Sequence, residues 1–207
     1  MIAMLFCGLS ITCTDDGTLT KEDVSANYLK VARTCLQDSI VLNATAMMGT
    51  VNKTCLDEGC PMKYFLKWKD TDTLNIQIIN FSVGKMPVNI DFSINATFMK
   101  LNTWEKDEYG DENSGWIKFK GYNGMTDYMG NANSEQLESG TGGSGTVIGY
   151  FNAKSHEIEF VTNFNVMNFT ADVYRQVIDT SRMATFDEDF AKYEEDLIQC
   201  KKDNGLL

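Results

Sequence analysis

At 207 residues, 43% apolar and 23% charged, the chain is long enough for one packed core and too apolar to be disordered. Its 18 basic and 29 acidic residues leave a formal charge of −11, which disfavours nucleic acid and anionic membrane surfaces as partners. The same charge suits solubility in extracellular fluid, or attraction for a cationic ligand.

Met1 to Ile11 is apolar except for Gly8 and Ser10. Such a run is too short to span a bilayer and suits a signal peptide, so residues 1–13 are expected to be removed and 14–207 to form one domain. Thr20 is a good helix N-cap with Asp23 in capping-box position, and Val24, Tyr28, Val31, Cys35 and Leu42 share one helical face. The spacing predicts a helix from about Lys21 to Leu42. From Met62 the period falls to two: Met62, Tyr64, Leu66 and Trp68 alternate with Lys63, Lys67 and Lys69, as in a half-buried strand. Leu74, Ile76 and Ile78 continue the alternation until Ile79 and Phe81 shift phase, which reads as a bulge. After a turn at Gly84 to Pro87, the strand Val88 to Phe98 is the clearest in the chain. Ile90, Phe92, Ile94, Ala96 and Phe98 lie on one face, and Asn89, Asp91, Ser93, Asn95 and Thr97 on the other.

Glu105 to Asn113 reads as an exposed acidic loop at a hairpin tip, and its glycine and glutamate spacing does not match a calcium loop. Trp116 to Tyr122 forms a strand with Ile117 and Phe119 inward. Glycine, asparagine and serine dominate Asn123 to Gly145, the composition of a flexible loop. Strands follow at Thr146 to Phe151 and at Glu157 to about Phe169, the second with Ile158, Phe160, Phe164 and Val166 inward. Helical spacing returns at Thr170 with Val173, Val177 and Ile178. A last helix starting near Thr185 buries Phe186, Phe190, Tyr193, Leu197 and Cys200, and its terminal charges complement the helix dipole. Ala44 to Val51 and Met125 to Met129 are candidates for further strands. The fold class is therefore mainly β: an antiparallel barrel or sandwich of about six to eight strands between an N-terminal and a C-terminal helix.

With residues 1–13 removed, Cys35, Cys55, Cys60 and Cys200 remain, an even set able to form two disulfides in any of three connectivities. Cys200 pairs with one of the other three, closing a loop that contributes about 4–5 kcal/mol in the chain-entropy model. Cys55 and Cys60 have no matching histidine or second cysteine pair, so neither zinc nor any cofactor is expected. Asn43, Asn52, Asn80, Asn95 and Asn168 each open an N-x-[ST] sequon, and with the apolar start and even cysteine set they point to a secreted glycoprotein.

Catalysis has little to work with. His156 is the one histidine, it falls in a predicted turn, and no metalloprotease, nucleophile-elbow or P-loop motif is present. The expectation is a binding protein, not an enzyme. If the strands close into a barrel, Tyr64, Trp68, Ile90, Phe92, Ile94, Phe98, Phe119, Phe160 and Phe164 face inward, where they line a cavity for a small hydrophobic or amine ligand or fill a solid core. In the second case the domain binds a host or partner protein through its surface.

The helix, antiparallel strands, late helix and late cysteine, with Thr126-Asp127-Tyr128 resembling the short T-D-Y motif, make the chain resemble the lipocalins over about residues 20–203. Among these it is most similar to the divergent secreted lipocalins of blood-feeding ticks. The resemblance implies a calycin barrel that sequesters a small amine or lipid mediator and catalyses no reaction. Expression in a eukaryotic secretory host is expected to give a secreted product whose mass falls on deglycosylation, as read by mass spectrometry.

Overall fold

Aromatic and β-branched residues at alternate positions build strands along most of the chain. The computed structural model describes residues 24–86, 88–127, 144–166 and 168–206. Its elements are α1 (Val24–Cys35), β1 (Asp38–Met48), β2 (Val51–Asn52), β3 (Cys60–Trp68), β4 (Thr73–Phe81), β5 (Ile90–Met99), α2 (Lys106–Tyr109), β6 (Trp116–Asp127), β7 (Gly145–Asn152), β8 (Glu157–Asn163), β9 (Phe169–Val177) and α3 (Arg182–Asp203). The expected signal peptide, Thr20 and Asp23, Tyr128 of the T-D-Y motif and most of the glycine-rich loop lie outside the described residues.

Every strand pairs antiparallel with its neighbours, in the order β2-β1-β3-β4-β5-β6-β7-β8-β9, and β1 also pairs with β9. β2 is a two-residue appendage on β1, so the other strands form an eight-stranded up-and-down barrel. Closure rests on the length of β1. Its first half, Asp38 to Ala44, pairs with β3, and its second half, Thr45 to Met48, pairs with β9. At the junction the Gln176 side chain continues the ladder, accepting from the Asn43 backbone N–H and donating to the Asn43 carbonyl, both at 2.9 Å.

Two helical expectations are corrected. The first helix stops at Cys35, and Asp38 takes a left-handed φ of 60° that turns the chain into β1. Beyond it Ile40, Leu42, Ala44 and Ala46 alternate toward the core, while Val41 faces outward and is buried at the wall that α3 covers. Leu42 falls on the predicted helical stripe because it stands seven residues, two helical turns, after Cys35, although β1 has already begun between them. Thr170 to Val177 is likewise strand β9, with Phe169, Ala171 and Val173 inward. The long strand expected from Glu157 breaks at a turn in which Asn165 and Asn168 both adopt left-handed φ, 53° and 58°. The predicted bulge between Ile78 and Phe81 is present.

α1 packs against one end of the barrel through Leu29 and Ala32, and Leu36 just beyond it joins the same core. The Trp68 indole N–H donates to the Leu36 carbonyl at 2.6 Å, and the Arg33 guanidinium lies 4.7 Å from the Trp68 ring. α3 lies along β1 and β3, and one disulfide, Cys55–Cys200, fastens it to the loop after β2 across 145 residues. The second expected bridge does not form. Cys35 ends α1, whereas Cys60 is buried in β3 beside Met62, and both are free thiols. Burial pushes the Cys60 thiol up to about 12, far from thiolate reactivity.

Inner rings approach the barrel wall closely at two glycines. A Cβ placed on Gly124 would stand 2.8 Å from the Phe92 ring, and one on Gly149 would overlap the Phe119 ring and the Phe160 side chain. Gly149→Ala is therefore expected to destabilise by about 1–3 kcal/mol through overpacking, measured as a lower urea midpoint.

Candidate functional site

The barrel brings all nine predicted inner residues together. Tyr64, Ile90, Phe92, Ile94, Phe98, Phe119, Phe160 and Phe164 are buried, and Trp68 is half-buried at the α1 end. Their rings contact one another. Trp68, Phe98, Phe119, Phe160 and Tyr64 follow in sequence with centroid separations of 5.3, 5.1, 5.9 and 5.3 Å. Phe164 packs between Phe92 at 5.0 Å and Phe81 at 5.4 Å, within the usual range for aromatic pairs. Two inward hydroxyls, on Tyr64 and Thr162, have no hydrogen-bond partner among the described residues. Burial raises the Tyr64 hydroxyl well above the ordinary tyrosine range. Thr162 shares a rung with Ala171 and Ala46, where the wall carries small side chains.

The outer wall carries a second cluster that periodicity did not reveal. The segment read as a solvated acidic loop contains α2, and Glu105 and Tyr109 are buried there. Glu105 forms an ion pair with Lys118, whose side chain is 5% exposed against 1% for Glu105. The Glu105 carboxylate also accepts from the Asn102 backbone N–H at 2.7 Å and the Tyr150 hydroxyl at 2.9 Å. Burial alone would raise the Glu105 carboxyl, but Lys118, Asn102 and Tyr150 together hold it below the ordinary range.

Tyr150 stacks on Tyr109 with ring centroids 4.0 Å apart, and Tyr109 meets Trp116 edge-on at 5.2 Å. The Tyr109 hydroxyl donates to Glu159 at 2.6 Å. Arg175 clamps the same carboxylate with two nitrogens, at 3.0 and 3.1 Å, and lies over Trp116 at 4.8 Å. Burial opposes ionisation of Glu159 as well, yet Arg175 and Tyr109 depress its carboxyl. A bulge makes this possible. Ile158 pairs with Gln176 but Phe160 pairs with Val173, so Tyr174 and Arg175 both stand opposite Glu159 and the extra residue turns Arg175 to the outer face.

The outer faces of β7, β8 and β9 form a groove of about 260 Å³ whose lining joins Tyr109, Tyr150, Glu159 and the Glu159-bound Arg175 of this cluster to Ile148, Val161, Asp172 and Tyr174. Ile148, Val161 and Tyr174 are 40–42% exposed. Tyr174 is held in place, because its hydroxyl donates to the Glu58 carbonyl at 2.9 Å. Asp172 is raised by burial and by the neighbouring Glu159 charge.

Of the sequon asparagines, Asn52, Asn80, Asn95 and Asn168 are exposed. Asn43 is half-buried beneath α3, where its Nδ2 donates to the Glu58 carbonyl at 3.0 Å and its Oδ1 accepts from Arg182 at 2.6 Å. The nitrogen a glycan would use is thus committed at that position. His156 is exposed in the turn between β7 and β8. Among the described residues, no group of histidine, cysteine or carboxylate side chains has the geometry of a metal site.

Residues 13–205 match the family described as a domain of unknown function, DUF4903. The chain belongs to that family. No curated protein and no solved structure matches it. The DUF4903 domain therefore has to be read from its own geometry, and no helix among its described residues is long and apolar enough to cross a membrane.

Within the DUF4903 domain the sequence named none of Glu105, Tyr109, Lys118, Tyr150, Glu159 or Arg175 as site residues. One signal was available: the β7–β8 hairpin sets Tyr150 opposite Glu159, both on its outer face. Removing one partner of the buried pair, as in Glu105→Ala, is expected to cost about 3–5 kcal/mol by leaving the Lys118 charge uncompensated. Because Glu105 and Glu159 are depressed in the folded domain, their contribution is present above the unfolded carboxyl value of about 4.3 and is lost as pH falls through their lower folded values. Urea midpoints measured from pH 7 to pH 3 are expected to fall, and Glu105→Ala is expected to flatten that fall.

Proposed function

We propose that this DUF4903 domain is a secreted binding domain that catalyses no reaction and engages a protein partner through the outer wall of its barrel. The observation that carries this reading is the packing of the Phe92 and Phe119 rings and the Phe160 Cβ close to backbone glycines, with the Phe119 and Phe160 rings in contact with each other. A binding role without chemistry is supported by the state of the two buried-cluster carboxylates. Glu105 and Glu159 are each tied to a cation and a tyrosine hydroxyl, so neither is poised to exchange a proton near neutral pH. The Cys55–Cys200 bridge supports an oxidising compartment outside the cytosol. The outer wall also holds what a binding surface needs: aromatic side chains fixed by hydrogen bonds, beside exposed aliphatic ones.

One observation favours the alternative of a small ligand inside the barrel, as the lipocalin resemblance implies. The Tyr64 and Thr162 hydroxyls are the polar groups such a ligand would meet, and Thr162 shares its rung with the small side chains of Ala171 and Ala46.

Phe92→Ala separates the two. With a solid interior the truncation costs about 3–5 kcal/mol in urea unfolding, because lost packing and a new void add. The unmutated domain is then expected to bind neither a fluorescent fatty acid nor a biogenic amine within the barrel. A small stability loss, together with saturable binding of either probe that Phe92→Ala weakens, would replace the outer-wall reading with the lumenal one.

A further inference from the structure

The most suggestive feature of the outer wall is an acid without a counter-charge. The Asp172 side chain forms no hydrogen bond or ion pair among the described residues, although it is half-buried and borders a concave groove. Its neighbour Glu159 is neutralised by the two-nitrogen clamp of Arg175, and Lys118 is neutralised by Glu105. Neither nearby cation is therefore free to serve Asp172. A carboxylate that is partly desolvated and unpaired costs free energy in the free domain, and an incoming cation recovers it.

The surroundings specify which cation. Val161 stands directly opposite Asp172 in the β8–β9 register, and Ile148 stands opposite Val161 in the β7–β8 register. An aliphatic strip thus leads across the wall to the carboxylate, and its two side chains are 40% and 42% exposed. Tyr174, two positions along the same strand, offers a ring fixed by its bond to Glu58. A long methylene stem would lie on Ile148 and Val161 while its ammonium reached Asp172 beside an aromatic ring. That combination describes a lysine side chain. A lysine brings the longer aliphatic stem to that strip, four methylenes against three in arginine, and ends in a compact ammonium.

We propose that the groove bordered by Ile148, Val161, Asp172 and Tyr174 is a docking site for a lysine side chain of a partner protein, with Asp172 as the counter-ion. The assignment rests on the outer-wall reading of function and adds the place and the chemistry of recognition. The formal charge of −11 favours approach of a basic partner over long range, and salt is expected to weaken it.

The test is an NMR titration of the full chain with two probes, Nα-acetyl-lysine methylamide and Nα-acetyl-norleucine methylamide, which differ only in the terminal charge. The lysine probe is expected to shift the backbone amides of Val161, Asp172 and Tyr174 saturably, with the norleucine probe at least tenfold weaker. Asp172→Asn keeps the shape and removes the charge, and it is expected to weaken the lysine probe at least tenfold. Val161→Arg places a cation opposite Asp172 within the chain and is expected to abolish the titration while the circular dichroism stays that of a β-barrel. Equal affinity of the two probes, or unchanged affinity in Asp172→Asn, overturns the proposal. So does the absence of any saturable shift, although that result leaves the outer-wall reading standing. Saturable shifts confined to inward residues such as Val147, Phe160 and Thr162 would overturn both.

Discussion

Everything in this domain depends on one strand being long enough to serve two neighbours. β1 pairs with β3 over its first half and with β9 over its second, and that division closes the sheet. The switch occurs between Ala44 and Thr45, where one backbone must leave a ladder and join another. Gln176 bridges the change by presenting a side-chain amide where a backbone peptide would stand. Buried backbone groups left unpaired at such a point would cost about 1–3 kcal/mol each. The seam is thus fixed by a side chain that can both donate and accept, and a hydrophobic residue of similar volume could not replace it.

Closure in turn dictates the division of labour between the two faces of the wall. Eight strands enclose a space into which large rings project, packing on one another and close to wall glycines. The charged groups of this wall are left to the outside, where they do more than solvate. Lys118, Glu105, Tyr150, Tyr109, Glu159 and Arg175 form a continuous polar and aromatic layer around Trp116. Such a layer stiffens the surface beside it, which is what the groove along β7 to β9 requires of its supports.

The inward face was legible in the sequence because its signal is local. Alternation in Val88 to Phe98 and in Met62 to Trp68 fixed which residues point inward, and the bulge near Phe81 announced itself as a phase shift. The first part of β1 and β9 from Thr170 on were misread as helix because Leu42 stands two helical turns after Cys35 and Val177 about one turn after Val173, whereas Ala44 to Val51 was rightly a candidate strand. What decides is pairing with other segments, β3 for the first half of β1 and β8 and β1 for β9, which spacing within one segment does not contain. The outer cluster was illegible for a different reason. Glu105 looks like one more acid in an acidic stretch until Lys118 and Tyr150 are placed over it, and its burial is a property of three segments together. The cysteines fall between these cases. Parity of number suggested two bridges, but only the distance between α1 and β3 could show that Cys35 and Cys60 stay apart as thiols.

The closed seam has one more consequence, for how the molecule can meet other chains. Among the described residues the strand edges left without a strand partner are short: the two-residue β2, Asp38 to Ala44 of β1 on the side away from β3, and Val173 to Val177 of β9 on the side away from β8. The domain therefore presents no long ribbon of free peptide groups on which another strand could grow. Backbone templating, the common route both to strand-exchange partnerships and to fibrous aggregates, is disfavoured while it stays folded. Its associations must be written in side chains, so a handful of surface substitutions can retarget it without touching the barrel that holds them.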